Sequence, residues 1–264
     1  MRRGDTVLTA RRFTVLGSAA AMVLVTTLAV AIGMSTTGWL VGLLCGVVLN
    51  ATLAVGLKSG AGSHVPGAAD LITLSRGVIA CALAGLATEA VLHRPVTAWF
   101  VPVTVVALLL DAVDGWVARR TGTSSAFGGR FDGEVDAFLI LVLSVQVAAN
   151  FGAWVVTAGL MRYVFGVAGW VAPWMRERLP YRYWRKVVTA AQGVVLTAAA
   201  ADVLPRGVSS AGLVLGLALL SESFGRDVVW LLHERATTRR SREAAVMTTV
   251  MSTVVHPEPH TEAV

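Results

Sequence analysis

The sequence predicts an all-α integral membrane protein with eight spans, on three observations. Of its 264 residues, 55% are hydrophobic and only 14% charged, with a mean hydropathy of +0.69; a soluble domain carries about 25% charged residues. The apolar residues come in runs close to the ~20 that a spanning helix needs. The basic residues fall in the short segments between those runs rather than along one face. The pI near 10.1 therefore reflects membrane topology and not a nucleic-acid surface.

Each element follows in order. Residues 1–12 are polar and carry Arg2, Arg3, Arg11 and Arg12. The first span runs from Phe13 to Gly33. Arg11-Arg12-Phe13 with Ala29-Val30-Ala31 imitates a twin-arginine signal, but another span follows at once, so the segment reads as an uncleaved anchor. The second span is Trp39 to Leu57. Residues 58–69 are rich in Gly, Ser and Ala and form a flexible linker at a domain boundary; His64 within it has no assigned role.

The third span opens with Asp70-Leu-Ile-Thr73-Leu-Ser-Arg76 and runs to about Leu92. Arg76 is a charge inside an apolar helix, which is costly and marks function unless the side chain snorkels to the interface. The fourth span is Thr97 to Val117, with Pro102 as a kink point. Residues 119–130 form an inner loop. The fifth span runs from about Asp132 to Trp154, and the sixth from Val155 to Met175 with Arg162 inside it. A basic elbow at 176–186 carries Tyr181, Tyr183 and Trp184, an interfacial pattern. The seventh span is Val187 to Ala201, and the eighth is Gly207 to His233 with Glu222, Arg226 and Asp227. From Glu234 the tail reads as disordered, its apolar piece at 244–255 being too short to span. Cys45 and Cys81 each lie inside an apolar run, where they pack rather than bind metal or pair.

Seventeen of the 22 Lys and Arg fall in segments on one side of this threading, and only Arg94 and Arg206 in turns on the other. That bias puts the first side in the cytoplasm. Three units result: residues 1–67, with two spans and a linker; residues 68–233, with six spans; and the cytoplasmic tail 234–264.

One stretch organises the chemistry. Between two apolar runs stand Asp111, Asp114, Asp132 and Asp136. Asp111 and Asp114 share a helix face at i and i+3, as do Asp132 and Asp136 at i and i+4. Packed side by side, the two helices bring four carboxylates together, and their repulsion calls for one divalent cation or two. Oxygen ligands suit Mg²⁺ or Mn²⁺ better than zinc. Gly115, Ala118 and Gly128 are small and let a bulky group approach the backbone. The plainer alternative, interfacial aspartates that cap helices, explains one or two of the four. Arg76, Lys186 and Arg226 lie in the same inner layer, as if around one polar cavity. Arg185, Lys186 and Arg226 could grip an acceptor phosphate or be ordinary inner-side charge.

The stretch resembles the signature of the CDP-alcohol phosphotransferases, also called CDP-alcohol phosphatidyltransferases: Asp-x2-Asp-Gly-x2-Ala-Arg-x8-Gly-x3-Asp-x3-Asp. Asp111, Asp114, Gly115, Ala118, Arg119, Gly128, Asp132 and Asp136 fill every fixed position. Many members also begin their first core helix with Asn-x2-Thr-x2-Arg; Thr73 and Arg76 match, whereas Asp70 stands where Asn is usual. The resemblance implies a six-helix core over about 68–233 preceded by two extra transmembrane helices. It implies a metal-dependent phosphotransferase of phospholipid biosynthesis in the cell membrane, with its active site on the cytoplasmic face. A CDP-linked lipid, commonly CDP-diacylglycerol, would donate its phosphatidyl group to a polar alcohol such as glycerol phosphate or inositol phosphate, releasing CMP. Asp111, Asp114, Asp132 and Asp136 would hold two Mg²⁺ or Mn²⁺ ions, with Asp136 also the general base. Thr73, Arg76, Gly115, Ala118, Arg119 and Gly128 would contact the CDP group. Membrane lipid is the surrounding partner, nucleic acid is not one, and a homodimer is allowed. The alternative is an ion-coupled carrier that uses the Asp cluster, but a carrier has no need of small residues beside the carboxylates.

Overall fold

The computed structural model describes residues 3–59, 67–93, 95–121, 125–176 and 183–255. Among these there are eight α-helices and no strand: α1 (Arg3–Ile32), α2 (Thr36–Ser59), α3 (Ala68–Leu92), α4 (Thr97–Thr121), α5 (Ala126–Phe151), α6 (Val156–Val171), α7 (Tyr183–Ala201) and α8 (Arg206–Val255). Short 3-10 turns at Ala153–Val155 and Pro173–Arg176 flank α6.

Seven of the helices are long and apolar enough to cross a membrane, and among the described residues α7 is the one that is not. This qualifies the expected eight spans. The reason lies in the composition of α7: Arg185 and Lys186 stand in its first turn, and Gln192 and Thr197 are polar and buried. The division into two extra and six core spans thus rests on α7 crossing with a polar, inward-facing side. The other outer faces carry exposed Val, Leu and Trp, such as Val30, Leu44, Leu109, Val164, Trp170 and Leu215. Such surfaces suit lipid.

Several boundaries differ from expectation, α1 starting at Arg3 and α7 at Tyr183, and those around α5 and at the end of α8 have a local cause. The inner loop expected at 119–130 is shorter, because α4 continues to Thr121 and α5 begins at Ala126. Ser125 caps α5, its hydroxyl accepting the Gly128 N–H at 2.8 Å, as a Ser N-cap does. At the other end α5 stops at Phe151, short of Trp154, because Gly152 has φ +99°, a conformation that favours glycine. Lastly, α8 does not end near His233 but runs to Val255. Residues 234–255 hold neither Gly nor Pro, and half of them are Arg, Ala, Glu or Met, which sustain a helix; the Pro-containing end, 256–264, lies outside the described residues. Pro102 sits near the start of α4, and the helix runs through it.

α3 is the central helix. It touches α1, α2, α4 and α5, and most of its length is buried. Small residues allow this crowding. Cys81 and Gly85 of α3 face two glycines four residues apart on α2: a Cβ on Gly38 would lie 3.0 Å from the Gly85 carbonyl, and one on Gly42 3.2 Å from the Cys81 carbonyl. Such small-residue stripes let membrane helices meet backbone to backbone. At one end of this seam the buried Glu89 of α3 accepts the Ser35 N–H at 2.8 Å, and the Ser35 hydroxyl accepts the Gly38 N–H. A membrane carboxylate is thereby fixed to the start of α2, where the helix dipole favours it.

Three apolar clusters are buried in the bundle, the smallest of them around Ala158, Val188 and Leu220. The largest holds Leu83, Leu86, Phe100, Leu143, Leu196 and Leu213, from α3, α4, α5, α7 and α8. The second joins Phe13 of α1, Leu49 and Leu53 of α2, Leu74 of α3, and Phe127, Phe131 and Val135 of α5.

Candidate active site

The second cluster sets the site's geometry. On α5, Phe127, Phe131 and Val135 recur every four residues and face α1 and α2. Phe127 and Phe131 stack with ring centroids 6.0 Å apart. Gly128, Asp132 and Asp136 follow one position later, so they form the neighbouring stripe. The apolar stripe anchors α5, and its rotation turns Asp132 and Asp136 toward α3 and α4.

There they meet Asp111. Asp111, Asp132 and Asp136 each offer a carboxylate oxygen, and these oxygens lie within 4.8 Å of one another. All three residues are half-buried. Asp114 is buried beside them but is not one of this trio. Its Oδ2 accepts the Thr73 hydroxyl at 2.5 Å.

Arg76 of α3 stands among all four, with 1% exposure. Its Nη1 lies 2.7 Å from Asp132 Oδ1, 2.9 Å from Asp111 Oδ1 and 4.0 Å from Asp114 Oδ2. Its Nη2 donates to Asp136 Oδ1. Arg76 is therefore no snorkelling residue: it bridges α3, α4 and α5 at the carboxylates. One guanidinium cannot balance four carboxylates, and convergent hard oxygens with net negative charge are a donor set that fits a divalent cation such as Mg²⁺ or Mn²⁺.

The other expected site residues separate into groups. Thr73 meets Asp114, so it orients a carboxylate. Gly115 is half-buried on α4, next to Asp114. The side chains of Ala118 and Arg119 lie outside the described residues. Gly128 has a packing reason to be small: a Cβ there would stand 2.8 Å from Asp70 Oδ1 and 3.1 Å from Ser125 Oγ. Asp70 itself is buried, accepts the Gly67 N–H at 2.8 Å and so caps α3. Its negative charge also lies against the first turn of α5, where the dipole stabilises it.

The basic residues expected on an acceptor are engaged with acids. Arg185 Nη1 lies 3.1 Å from the buried Asp227, and Arg226 pairs with Glu222 one turn earlier on α8. Lys186 is exposed at the start of α7 and close enough to Asp111 for their charges to interact. Arg162 reaches Glu134 of α5 at 2.5 Å. Sequence reasoning missed the Asp70–Gly128 contact, the Arg162–Glu134 pair and the Phe127/Phe131/Val135 stripe. Only the stripe left a signal: three large apolar residues at four-residue spacing beside the signature.

A family model described as CDP-alcohol phosphatidyltransferase matches residues 67–221, more than half of the chain. No curated protein and no solved structure matches it.

Proposed function

Because the chain belongs to the CDP-alcohol phosphatidyltransferase family, we propose that it moves a phosphatidyl group from CDP-diacylglycerol to the hydroxyl of a polar alcohol, with release of CMP. The observation that carries this reading is the convergence of Asp111, Asp132 and Asp136 within 4.8 Å, beside an Arg and a Thr of α3.

Asp111, Asp132 and Asp136 would hold the divalent cation, with Asp114 beside them as the ligand for a second. When bound, Mg²⁺ or Mn²⁺ neutralises phosphate oxygens and stabilises the leaving phosphate. Thr73 keeps Asp114 turned toward the site. With one oxygen of Asp136 given to the cation, the other would take the proton of the acceptor hydroxyl. The hydroxyl oxygen then bonds to the phosphorus on the lipid side of the pyrophosphate. The P–O bond to the nucleotide phosphate breaks, and CMP leaves with that oxygen. The position of Asp136, in contact with the hydroxyl, compensates for the weak basicity of a carboxylate. Gly115, Ala118, Arg119 and Gly128 would flank the CDP moiety.

A phosphorylated acceptor is the reading that the basic residues favour. Lys186, exposed at the start of α7, would be the first to engage it. Arg185 and Arg226 would join by exchanging Asp227 and Glu222 for phosphate, a partner that Arg binds in bidentate fashion. The positive-inside bias supports the cytoplasmic face of the cell membrane for the site.

The test is purified protein with CDP-diacylglycerol, Mg²⁺ and a panel of alcohols, including glycerol phosphate and inositol phosphate. The expected result is Mg²⁺-dependent CMP release with one acceptor, and a lipid product that names it. Absence of CMP release with every acceptor would overturn the reading in favour of a carrier.

A further inference from the structure

Arg76 holds one oxygen of each carboxylate in the metal-competent trio. Its Nη1 bridges Asp111 Oδ1 and Asp132 Oδ1, and its Nη2 takes Asp136 Oδ1. These belong to the same three residues whose oxygens converge within 4.8 Å. The guanidinium is fully buried, and its Nε has no hydrogen-bond partner. The side chain is thus tied by its two terminal nitrogens alone, and its hold is electrostatic. A cation at the centre of the trio draws on the same three carboxylates, and two positive charges so close repel each other.

We propose that Arg76 is a built-in competitor of the metal, and that the donor's pyrophosphate relieves the competition by drawing the guanidinium to itself. This rests on the transferase reading above. A guanidinium pairs with phosphate as well as with carboxylate, often through two hydrogen bonds. Once Arg76 turns to phosphate, the three carboxylates are released to the cation. Metal and nucleotide therefore bind cooperatively, each raising the other's affinity by the same factor. The consequence is that the metal is held most firmly when the donor is present.

The experiment measures Mn²⁺ binding to the purified full chain by electron paramagnetic resonance, with and without CDP, a probe that carries the pyrophosphate but cannot turn over. In the wild type, CDP should tighten Mn²⁺ binding about tenfold or more. Arg76→Gln should bind Mn²⁺ about tenfold tighter than wild type without CDP and gain little from CDP. Arg76→Lys keeps the charge but cannot bridge two carboxylates with a rigid fork, so it should tighten Mn²⁺ about threefold; it decides the matter if Arg76→Gln does not assemble. Equal or weaker Mn²⁺ binding by the folded variants overturns the proposal, as does an undiminished effect of CDP in Arg76→Gln. CMP release by the wild type separates the two readings. If the wild type releases CMP while the Arg76 variants leave Mn²⁺ affinity unchanged, only the competitor role fails. If it releases none and binds no Mn²⁺, both fail.

Discussion

Asp136 and Asp111 both touch Arg76, yet their loss should differ. Asp136→Asn keeps the shape and one ligand oxygen but cannot accept a proton. Turnover should fall by roughly 10²-fold or more, with donor binding largely kept. Asp111→Asn should weaken metal and donor binding as well. CDP binding and CMP release measured across a Mg²⁺ series check this; near-normal turnover of Asp136→Asn, or its rescue by extra metal, would make Asp136 a ligand only. Gly128 offers a second test. A Cβ there would come 2.8 Å from Asp70 Oδ1, so Gly128→Ala should destabilise the protein by about 1–3 kcal/mol. Most of that cost should vanish in the Asp70→Ala background, since the two residues are in contact. Thermal unfolding of the four proteins reads the coupling, and an equal cost in both backgrounds excludes the contact as its cause. At this scale the sequence was informative where chemistry is tied to spacing: three of four expected carboxylates converge, with Asp114 beside them. It marked Asp70 only as a departure from the usual Asn and gave it no role; the cap on α3 and the approach of Gly128 are seen only in the fold.

Helices, taken as elements, explain why α1 and α2 matter to a site that they do not line. Phe13, Leu49 and Leu53 press on the face of α5 that neighbours Asp132 and Asp136. Leu53→Ala should cost about 2–5 kcal/mol in stability and also weaken Mn²⁺ binding, because α5 loses its backing. Leu213→Ala, an equally buried leucine in the largest apolar cluster, should cost as much stability and leave Mn²⁺ binding intact. Equal loss of Mn²⁺ affinity in both would reduce the effect to general loosening. The existence of the helices was legible from apolar run length, since each run must cover a bilayer. Their ends were less so. Ser125 and Gly152 fix the ends of α5 through hydrogen bonding and backbone angle, which run length does not register. The contacts of α1 and α2 were illegible for a different reason: helices apolar all round carry no mark of which side faces protein and which faces lipid.

On the scale of the whole molecule, the arrangement makes a statement about sides. Single cysteines at positions 122, 182 and 238 should react with a membrane-impermeant reagent from the cytoplasmic side, and one at position 94 from the opposite side, as the positive-inside bias requires. Labelling of position 122 only from outside would overturn the threading and the side of the site together. The all-helical membrane fold could be read from composition because lipid admits few other solutions. The sequence reads 187–201 as a seventh span, but α7 is not among the helices long and apolar enough to cross a membrane, since Arg185, Lys186, Gln192 and Thr197 lower its hydropathy.

The length of α8 has a mechanical meaning. At ~1.5 Å per residue, the helix from Arg206 to Val255 measures about 75 Å, against ~30 Å for the hydrocarbon of a bilayer. Its apolar, span-like part ends at Thr237, and the remainder rises about 27 Å further at the same pitch. As one continuous helix it sets positions 237 and 255 about 27 Å apart along its axis, and spin labels at the two positions should report that spacing at any salt concentration.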